Sequence, residues 1–299
     1  MIDRPLKDVQ AWVQYFDQVD VPVLQRTVET LAHFRAREDD LDARELADAI
    51  MHDPLMTLRV LRFLQVHHSR RQSRDITTIA HALMMVGTTP FFRHFSNLPV
   101  AEAVLRDQVA GLTGLRRAMS RARHAALFAQ DWAALRHDIE SDEVMVAALL
   151  RDLAEMLMWC FAPRLMMMVR TLLQREPGLR SAEAQKRVFG FRGIELQLAL
   201  VRAWHLPELL QTLMDEDHAD HPRVKNVALA VRLARHLANG WDDPALPDDY
   251  RDIAQFLHLS EEAVYARVVR TALLAARSWS WYGVPPVAAG LPLIAAPKA

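Results

Sequence analysis

Four arginines in the segment 108–130 are the clearest candidates for chemistry in this sequence. They are Arg116, Arg117, Arg121 and Arg123, and no acidic residue interrupts the segment. In a helix, Arg117 and Arg121 share one face because side chains four positions apart are neighbours. Guanidinium groups bind phosphates and carboxylates through paired hydrogen bonds, so this face could bind an anion. A solvated basic helix face is the simpler interpretation, and the aromatic residues typical of single-stranded nucleic-acid binding are absent.

The other nucleophilic and metal-ligating residues give weaker signals. His67 and His68 are adjacent, so they point to different sides of a helix and make a poor chelating pair; a solvated basic loop is expected. Cys160 is the only cysteine, which excludes an internal disulfide and a thiolate zinc site. It lies in the apolar run 156–161, which is typical of a buried, inert thiol. No glycine-rich phosphate loop, G-x-S-x-G elbow, H-E-x-x-H motif or EF-hand loop is present.

Composition narrows the class of protein. Of 299 residues, 51% are hydrophobic and 24% are charged, which is typical of a globular chain and excludes wholesale disorder. The formal net charge of −1 gives no basis for nonspecific binding to nucleic acid or a membrane surface. No apolar stretch approaches the ~18 residues of a membrane span, and the first residues lack the apolar segment of a signal peptide. We therefore expect a cytoplasmic protein that does not bind membranes or nucleic acid.

Hydrophobic periodicity indicates an all-α protein. Apolar residues recur at spacings of three and four along almost the whole chain, and only 9 glycines occur. Helix starts are predicted at Asp42, at Asp53-Pro54, at Thr89-Pro90 and at Ser260, because each offers a side-chain cap. We expect about fourteen helices and no sheet.

Interruptions of this pattern suggest how the helices are organised. Leu-Pro, Gly111 and Gly114 mark a seam within 97–114. We expect an N-terminal helix in 1–19, an N-terminal helical lobe over about 20–110 and a helical bundle over about 112–277. A Pro/Ala-rich tail, 278–299, should be mobile unless its aromatic residues dock. The predicted core includes Leu61, Leu150 and Trp204.

The order of several short motifs resembles the HDOD family, the HD-related output domains of bacterial signalling. An ELA-x-x-I helix followed by Asp-Pro-x-Leu and a leucine-rich helix occupies 43–62, and an alanine-to-glycine segment follows at 79–87. A leucine-leucine-x-aspartate run at 149–153 and a tryptophan-x-leucine-proline element at 203–208 come later. With closing helices at 253–275, the resemblance spans roughly 20–277. It implies a two-lobed all-α fold with an HD-like bundle.

The HDOD family is similar to the metal-dependent HD phosphohydrolases, in which histidines and aspartates hold divalent metals that activate water. The resemblance maps the first histidine to His124 and the histidine–aspartate pair to Arg151-Asp152, so that one histidine is lost. A further histidine falls at Gly193 and the closing aspartate falls near Arg235, both lost. The candidates for this relic pocket are the following: Arg123, His124, Arg151, Asp152, Asp217 and His218.

The residues at the mapped positions predict a degenerate site. An arginine cannot ligate a metal, and its permanent charge repels a cation. We therefore expect Asp152 to pair with an arginine, either Arg151 or Arg123, and we expect no catalytic residues, no metal and no cofactor.

The resemblance implies a regulatory signal-transduction protein without enzymatic activity, whose partners are other signalling proteins. A first alternative is a sensor that binds an anionic ligand such as a cyclic dinucleotide in the relic pocket, through Arg123, Arg151 and Arg192. A second is a residual HD phosphohydrolase acting on a nucleotide.

Overall fold

The computed structural model describes residues 1–67, 78–215 and 220–292, and 73% of these residues are helical. The described residues contain no β-strand; their only extended pairing is an isolated parallel bridge between Val23 and Val100. The predicted all-α class is therefore confirmed. No described helix is both long enough and apolar enough to span a lipid bilayer.

Seven α-helices within the described residues precede the bundle. They are α1 (Val9–Gln18), α2 (Gln25–Arg35), α3 (Ala43–Ile50), α4 (Pro54–His67), α5 (Ile79–Val86), α6 (Thr88–His94) and α7 (Ala101–Val104).

Ten α-helices in the described part of the chain form the bundle that follows. They are α8 (Val109–Arg136), α9 (Ser141–Leu150), α10 (Leu153–Phe161), α11 (Pro163–Arg175), α12 (Ser181–Phe189), α13 (Gly193–Ala203), α14 (Glu208–Met214), α15 (Pro222–Leu237), α16 (Leu246–Leu257) and α17 (Glu261–Ala276). The chain thus has more helices than the fourteen or so that periodicity suggested, because breaks inside apolar stretches are hard to recognise from spacing alone.

Helix starts follow local side-chain chemistry at most predicted positions. Asp42 accepts a hydrogen bond from the backbone of Arg44, and Ser260 accepts one from Ala263, so both are N-caps as predicted. The prediction for Thr89 is wrong. Helix α6 begins at Thr88, two residues before the start that a cap at Thr89 would give, and its N-cap is Gly87, whose φ of +80° is costly for residues with a side chain.

The long helix α8 is the axis of the bundle and packs against α9, α10, α15 and α17. Its start corrects the predicted seam, because Gly111 and Gly114 lie inside the helix rather than in a loop. A Cβ at Gly114 would approach the Trp159 ring to 2.5 Å, and one at Gly111 would lie 2.7 Å from Pro163. These glycines allow α10 and α11 to pack closely against α8.

The two lobes share one hydrophobic core. Helix α4 contacts α8, α9 and α10, and Leu61 and Leu150 are fully buried within the same cluster. Trp204 is also buried, and its indole nitrogen donates to Asp17 at 3.2 Å while the Arg62 guanidinium lies 4.3 Å from its ring centroid. All three predicted core residues are confirmed. The tryptophan-x-leucine-proline element thereby connects the bundle to α1 and α4.

The beginning of the tail docks through its aromatic residues. Trp281 stacks on His52, with ring centroids 4.7 Å apart, and the buried Tyr282 hydroxyl donates to the His52 carbonyl at 2.8 Å. Trp241 donates to the carbonyl of Val287 at 2.9 Å. The tail was expected to be mobile unless its aromatic residues dock, and these contacts show that they do. Residues 293–299 lie outside the described part of the chain.

Candidate functional site

The four arginines of α8 have four different environments. Arg117 is exposed, whereas Arg116 is partly buried and donates to Glu102 at 3.0 Å. Arg121 and Arg123 face the protein interior, where Arg123 is only 9% exposed. The solvated-face interpretation therefore holds for Arg117 alone, because successive helical positions turn the other side chains toward α7, α10 and α3.

Asp152 is the aspartate that the resemblance maps to the histidine–aspartate pair of the HD enzymes. Its buried carboxylate is the centre of an ion-pair cluster. The Arg121 Nε and Nη2 atoms lie 3.3 and 3.1 Å from its Oδ2, and Arg235 donates to its Oδ1. Arg121 Nη2 also donates to Glu155 at 2.6 Å. The arginine pairing expected for Asp152 is thus present, but its partners are Arg121 from α8 and Arg235 from α15. Arg151 contributes an attractive charge nearby.

The charge balance of this cluster stabilises the ionised carboxylate. Burial raises the pKa of Asp152, but attraction by Arg235 and Arg121 outweighs it and holds the pKa well below its usual range. For Arg121, burial lowers the pKa of the guanidinium, and attraction by Glu155 and Asp152 more than reverses this. Both oxygens of Asp152 are therefore occupied by permanently charged donors, which leaves this carboxylate poorly suited to bind a metal.

His124 occupies the first mapped histidine position and is 3% exposed. Its Nδ1 lies 2.8 Å from the Ser120 carbonyl, and its Nε2 has no hydrogen-bond partner among the described residues. Burial lowers the pKa of this imidazole, which keeps the ring neutral.

The three arginines of the proposed anion sensor have different surroundings. Arg151 is buried at the end of α9, close to Asp152. Arg192 is exposed and donates to Glu195 at 2.8 Å at the start of α13. Arg123 contacts the Met51 carbonyl, at 3.5 Å. Because the charge of Arg192 is neutralised by Glu195, the three guanidinium groups do not form one anion-binding site.

The remaining mapped positions complete the picture of the relic pocket. Gly193 is the first residue of α13, and its backbone donates to the Gln185 side chain at 2.8 Å. Asp217, His218 and His68 lie outside the described residues. Within 1–67, 78–215 and 220–292, no three His, Cys, Asp or Glu side chains are grouped closely enough to hold a metal ion. Cys160 is buried as predicted, and burial raises the pKa of its thiol.

Asp53 has a structural role larger than the helix cap that its sequence predicts. The carboxylate is fully buried and accepts from Leu55 and Met56 at the start of α4. It also accepts from the Leu24 amide at 2.8 Å and the Thr27 hydroxyl at 2.7 Å, which fixes the start of α2. The Asp-Pro element of the N-terminal lobe therefore joins the starts of two helices.

Sequence reasoning missed Arg235 and Glu155 as members of the Asp152 cluster. The resemblance places Arg235 only near the position of a lost aspartate, and it gives Glu155 no role. A weak signal did exist, since Asp152 and Glu155 are three residues apart and share one face near the start of α10. Nothing in the local pattern of α15 pointed to Asp152.

The fold and this site define an all-α protein with an N-terminal helical lobe and an HD-like bundle in which arginines surround the remaining aspartate. The HDOD domain family matches residues 21–220. The chain therefore belongs to the HDOD family, as its motifs indicated. The closing helices at 253–275 lie beyond the matched region, and none of the curated proteins compared with the chain matches it.

Two crystal structures share the fold. The MmoQ response regulator of Methylococcus capsulatus str. Bath is 20% identical, with a TM-score of 0.63; the match covers 84% of this chain and 98% of that one. A virulence factor of Campylobacter jejuni subsp. jejuni is also 20% identical with a TM-score of 0.63, and covers 94% and 96% of the two chains. The likeness extends over most of this chain, including helices beyond residue 220.

Proposed function

We propose that this chain is a non-catalytic regulatory protein of a signalling pathway, which acts by presenting helical surfaces to other signalling proteins. Membership of a family of signalling output domains supports the general role. The observation that supports a non-catalytic role is the Asp152 cluster, in which Arg121 and Arg235 occupy the carboxylate. A divalent ion at this aspartate would have to displace two guanidinium groups and overcome their repulsion.

Exposed apolar side chains provide candidate contact points for a partner. Leu273 and Leu274 near the end of α17 are 52% and 49% exposed, and Trp279 in the following turn is 55% exposed. Large apolar side chains that are grouped on a surface commonly mark sites of protein association. Tryptophan is also among the residues that contribute most to binding energy in protein interfaces. We propose that this end of α17 is one of the recognition surfaces.

Metal content and turnover test the non-catalytic part of the proposal. The full chain is dialysed against manganese or iron, washed, and measured by elemental analysis and by hydrolysis of a generic phosphodiester and a panel of nucleotides. We expect less than a stoichiometric amount of metal and no turnover. About one metal ion per chain together with turnover that Asp152→Asn abolishes would favour the residual phosphohydrolase instead.

Affinity capture from the native cell with mass spectrometry tests the interaction part. The tagged wild-type chain is compared with Trp279→Asp and with Val109→Asp, which places the same charge on an apolar residue that is 74% exposed elsewhere. We expect at least one signalling protein to be lost with Trp279→Asp and retained with Val109→Asp. Identical captures for all three chains would overturn the α17 surface.

A further inference from the structure

A cleft of about 380 Å³ lies between helix α8, the turn before α4, the end of α17 and the docked tail. Its wall is formed by side chains from all four regions, principally His52, Arg123, Leu127, Leu274, Arg277 and Trp281. The volume lies within the range of small-molecule sites in proteins. None of its lining residues belongs to the Asp152 cluster.

Arg123 is the most unusual residue of this cleft. It is 9% exposed, yet its only hydrogen bond among the described residues is a long one of 3.5 Å to the Met51 carbonyl. Its Nε atom is buried without a partner. A guanidinium carries five N–H donors, and a buried charge without a counter-ion is costly. The Tyr282 hydroxyl and the Asp48 carboxylate act on Arg123 electrostatically, but neither forms a described salt bridge with it.

The rest of the cleft suits an anion with an apolar body. Arg277 adds a second guanidinium, which takes part in no salt bridge within the described residues, and Ser280 adds a hydroxyl. Leu127 and Leu274 supply apolar wall, and the Trp281 ring, stacked on His52, closes one side. Burial, with the nearby charge of Arg123, lowers the pKa of His52 to about 4, so that ring is neutral at physiological pH.

We propose that this cleft binds a small phosphate monoester, with Arg123 and Arg277 holding the phosphate and the leucine and tryptophan side chains contacting its organic part. Two guanidinium groups match the charge and the oxygen geometry of a phosphate better than those of a single carboxylate. The cleft includes one candidate of the relic pocket, Arg123, but no member of the Asp152 cluster. It shares Leu274 with the α17 surface, and the inference does not require that surface to bind a protein. Because Trp281 belongs to the docked tail, an occupied site would also stabilise the tail.

Equilibrium dialysis of the full chain with inorganic phosphate and with phenyl phosphate, at low ionic strength, tests the proposal. We expect one saturable site per chain and an affinity for phenyl phosphate at least several-fold higher than for inorganic phosphate. Arg123→Gln and Arg277→Gln should each weaken binding at least tenfold. Arg277 is exposed, so that variant should fold normally even if Arg123→Gln does not. Arg117→Gln removes an exposed charge from α8 away from the cleft lining and should bind like the wild type.

Three results would overturn the proposal. They are the absence of saturable phenyl phosphate binding to the wild type, equal weakening by Arg117→Gln, and unchanged binding by Arg277→Gln. Equal affinity for the two probes would contradict the apolar part of the site. None of these results depends on protein partners or on phosphoester turnover. The cleft proposal and the proposed regulatory function are therefore tested independently.

Discussion

Arg121 Nη2 lies 3.1 Å from Asp152 Oδ2, in a salt bridge whose carboxylate side chain is 6% exposed. Arg235, on α15, donates to the other carboxylate oxygen of Asp152. Here three helices, α8, α10 and α15, meet at one carboxylate and two guanidinium groups, and this contact connects elements that are far apart in the chain.

Replacement of Asp152 by Asn should destabilise the fold. The change removes the charge that balances the largely buried Arg121 guanidinium and the more exposed one of Arg235; breaking a fully buried pair costs about 3–5 kcal/mol. Glu155 still neutralises Arg121, and the Arg235 side chain is 46% exposed. We therefore expect the free energy of unfolding, measured with urea, to fall by about 2–3 kcal/mol. Asp248→Asn, which removes a 74% exposed carboxylate paired with Arg251, serves as the control and should change stability by less than about 0.5 kcal/mol. Equal effects of the two variants would contradict a structural role for the cluster.

The same aspartate should make stability depend on pH in acid. Its pKa in the folded protein lies below the ordinary value of 3.8, so the unfolded chain binds more protons as the pH falls. The stabilisation is complete above the unfolded pKa and is lost as pH falls from about 5 toward the lower folded pKa. Urea unfolding between pH 7 and pH 3 should show a steeper loss for the wild type than for Asp152→Asn. If the free energy of unfolding fell equally with pH in both proteins, other carboxylates would account for the loss of stability in acid.

Leu150→Ala should cost about 2–5 kcal/mol, because a fully buried leucine at the end of α9 leaves a cavity in the shared core. The matched control is Leu273→Ala on α17, where the leucine is 52% exposed and the cost should stay below about 0.5 kcal/mol. Chemical denaturation monitored by circular dichroism measures both. A cost for Leu150→Ala as small as for the control would contradict its place in the core.

Gly114→Ala should destabilise the bundle by about 1–3 kcal/mol, although alanine favours a helix more than glycine does. The added methyl group would meet the Trp159 ring at 2.5 Å. Gly193→Ala is the comparison, since its Cβ would meet only the end of the Gln185 side chain, at 3.0 Å, which can move. Thermal unfolding that ranks Gly193→Ala as more damaging would show that α8 and α10 are packed less closely.

Asp53→Ala should be among the most damaging single changes in the N-terminal lobe, with a cost of at least about 2 kcal/mol. It leaves the Leu24 amide and the Thr27 hydroxyl without their buried acceptor and removes the cap of α4. Asp42→Ala removes only the cap of α3, at an exposed site, and should cost about 1 kcal/mol. If urea unfolding gave the two variants the same stability, Asp53 would contribute no more than a helix cap.

Local patterns predicted the parts of this protein that depend on neighbouring residues. The apolar spacing indicated an all-α chain and the burial of Leu61, Leu150 and Trp204, because a helical stripe is apolar only where it packs against a core. Asp42 and Ser260 could be recognised as caps because a cap bonds within its own first turn. Gly111 and Gly114, however, were wrongly predicted to interrupt the helical pattern within the seam 97–114, since the neighbours that require them, Pro163 and Trp159, are distant in the sequence.

Only the tertiary structure decided which charges meet. The sequence alone indicated that Asp152 would need a cationic partner, but it favoured Arg151 or Arg123 over Arg121 and Arg235. Likewise, no local signal indicated that the tail would place Trp281 on His52 and complete a cleft around Arg123. The physical reason is that periodicity defines a buried face on each helix, whereas the rotation and position of one helix against another select the side chains that touch. Those selections are made by contacts across the whole chain, which a one-dimensional pattern does not record.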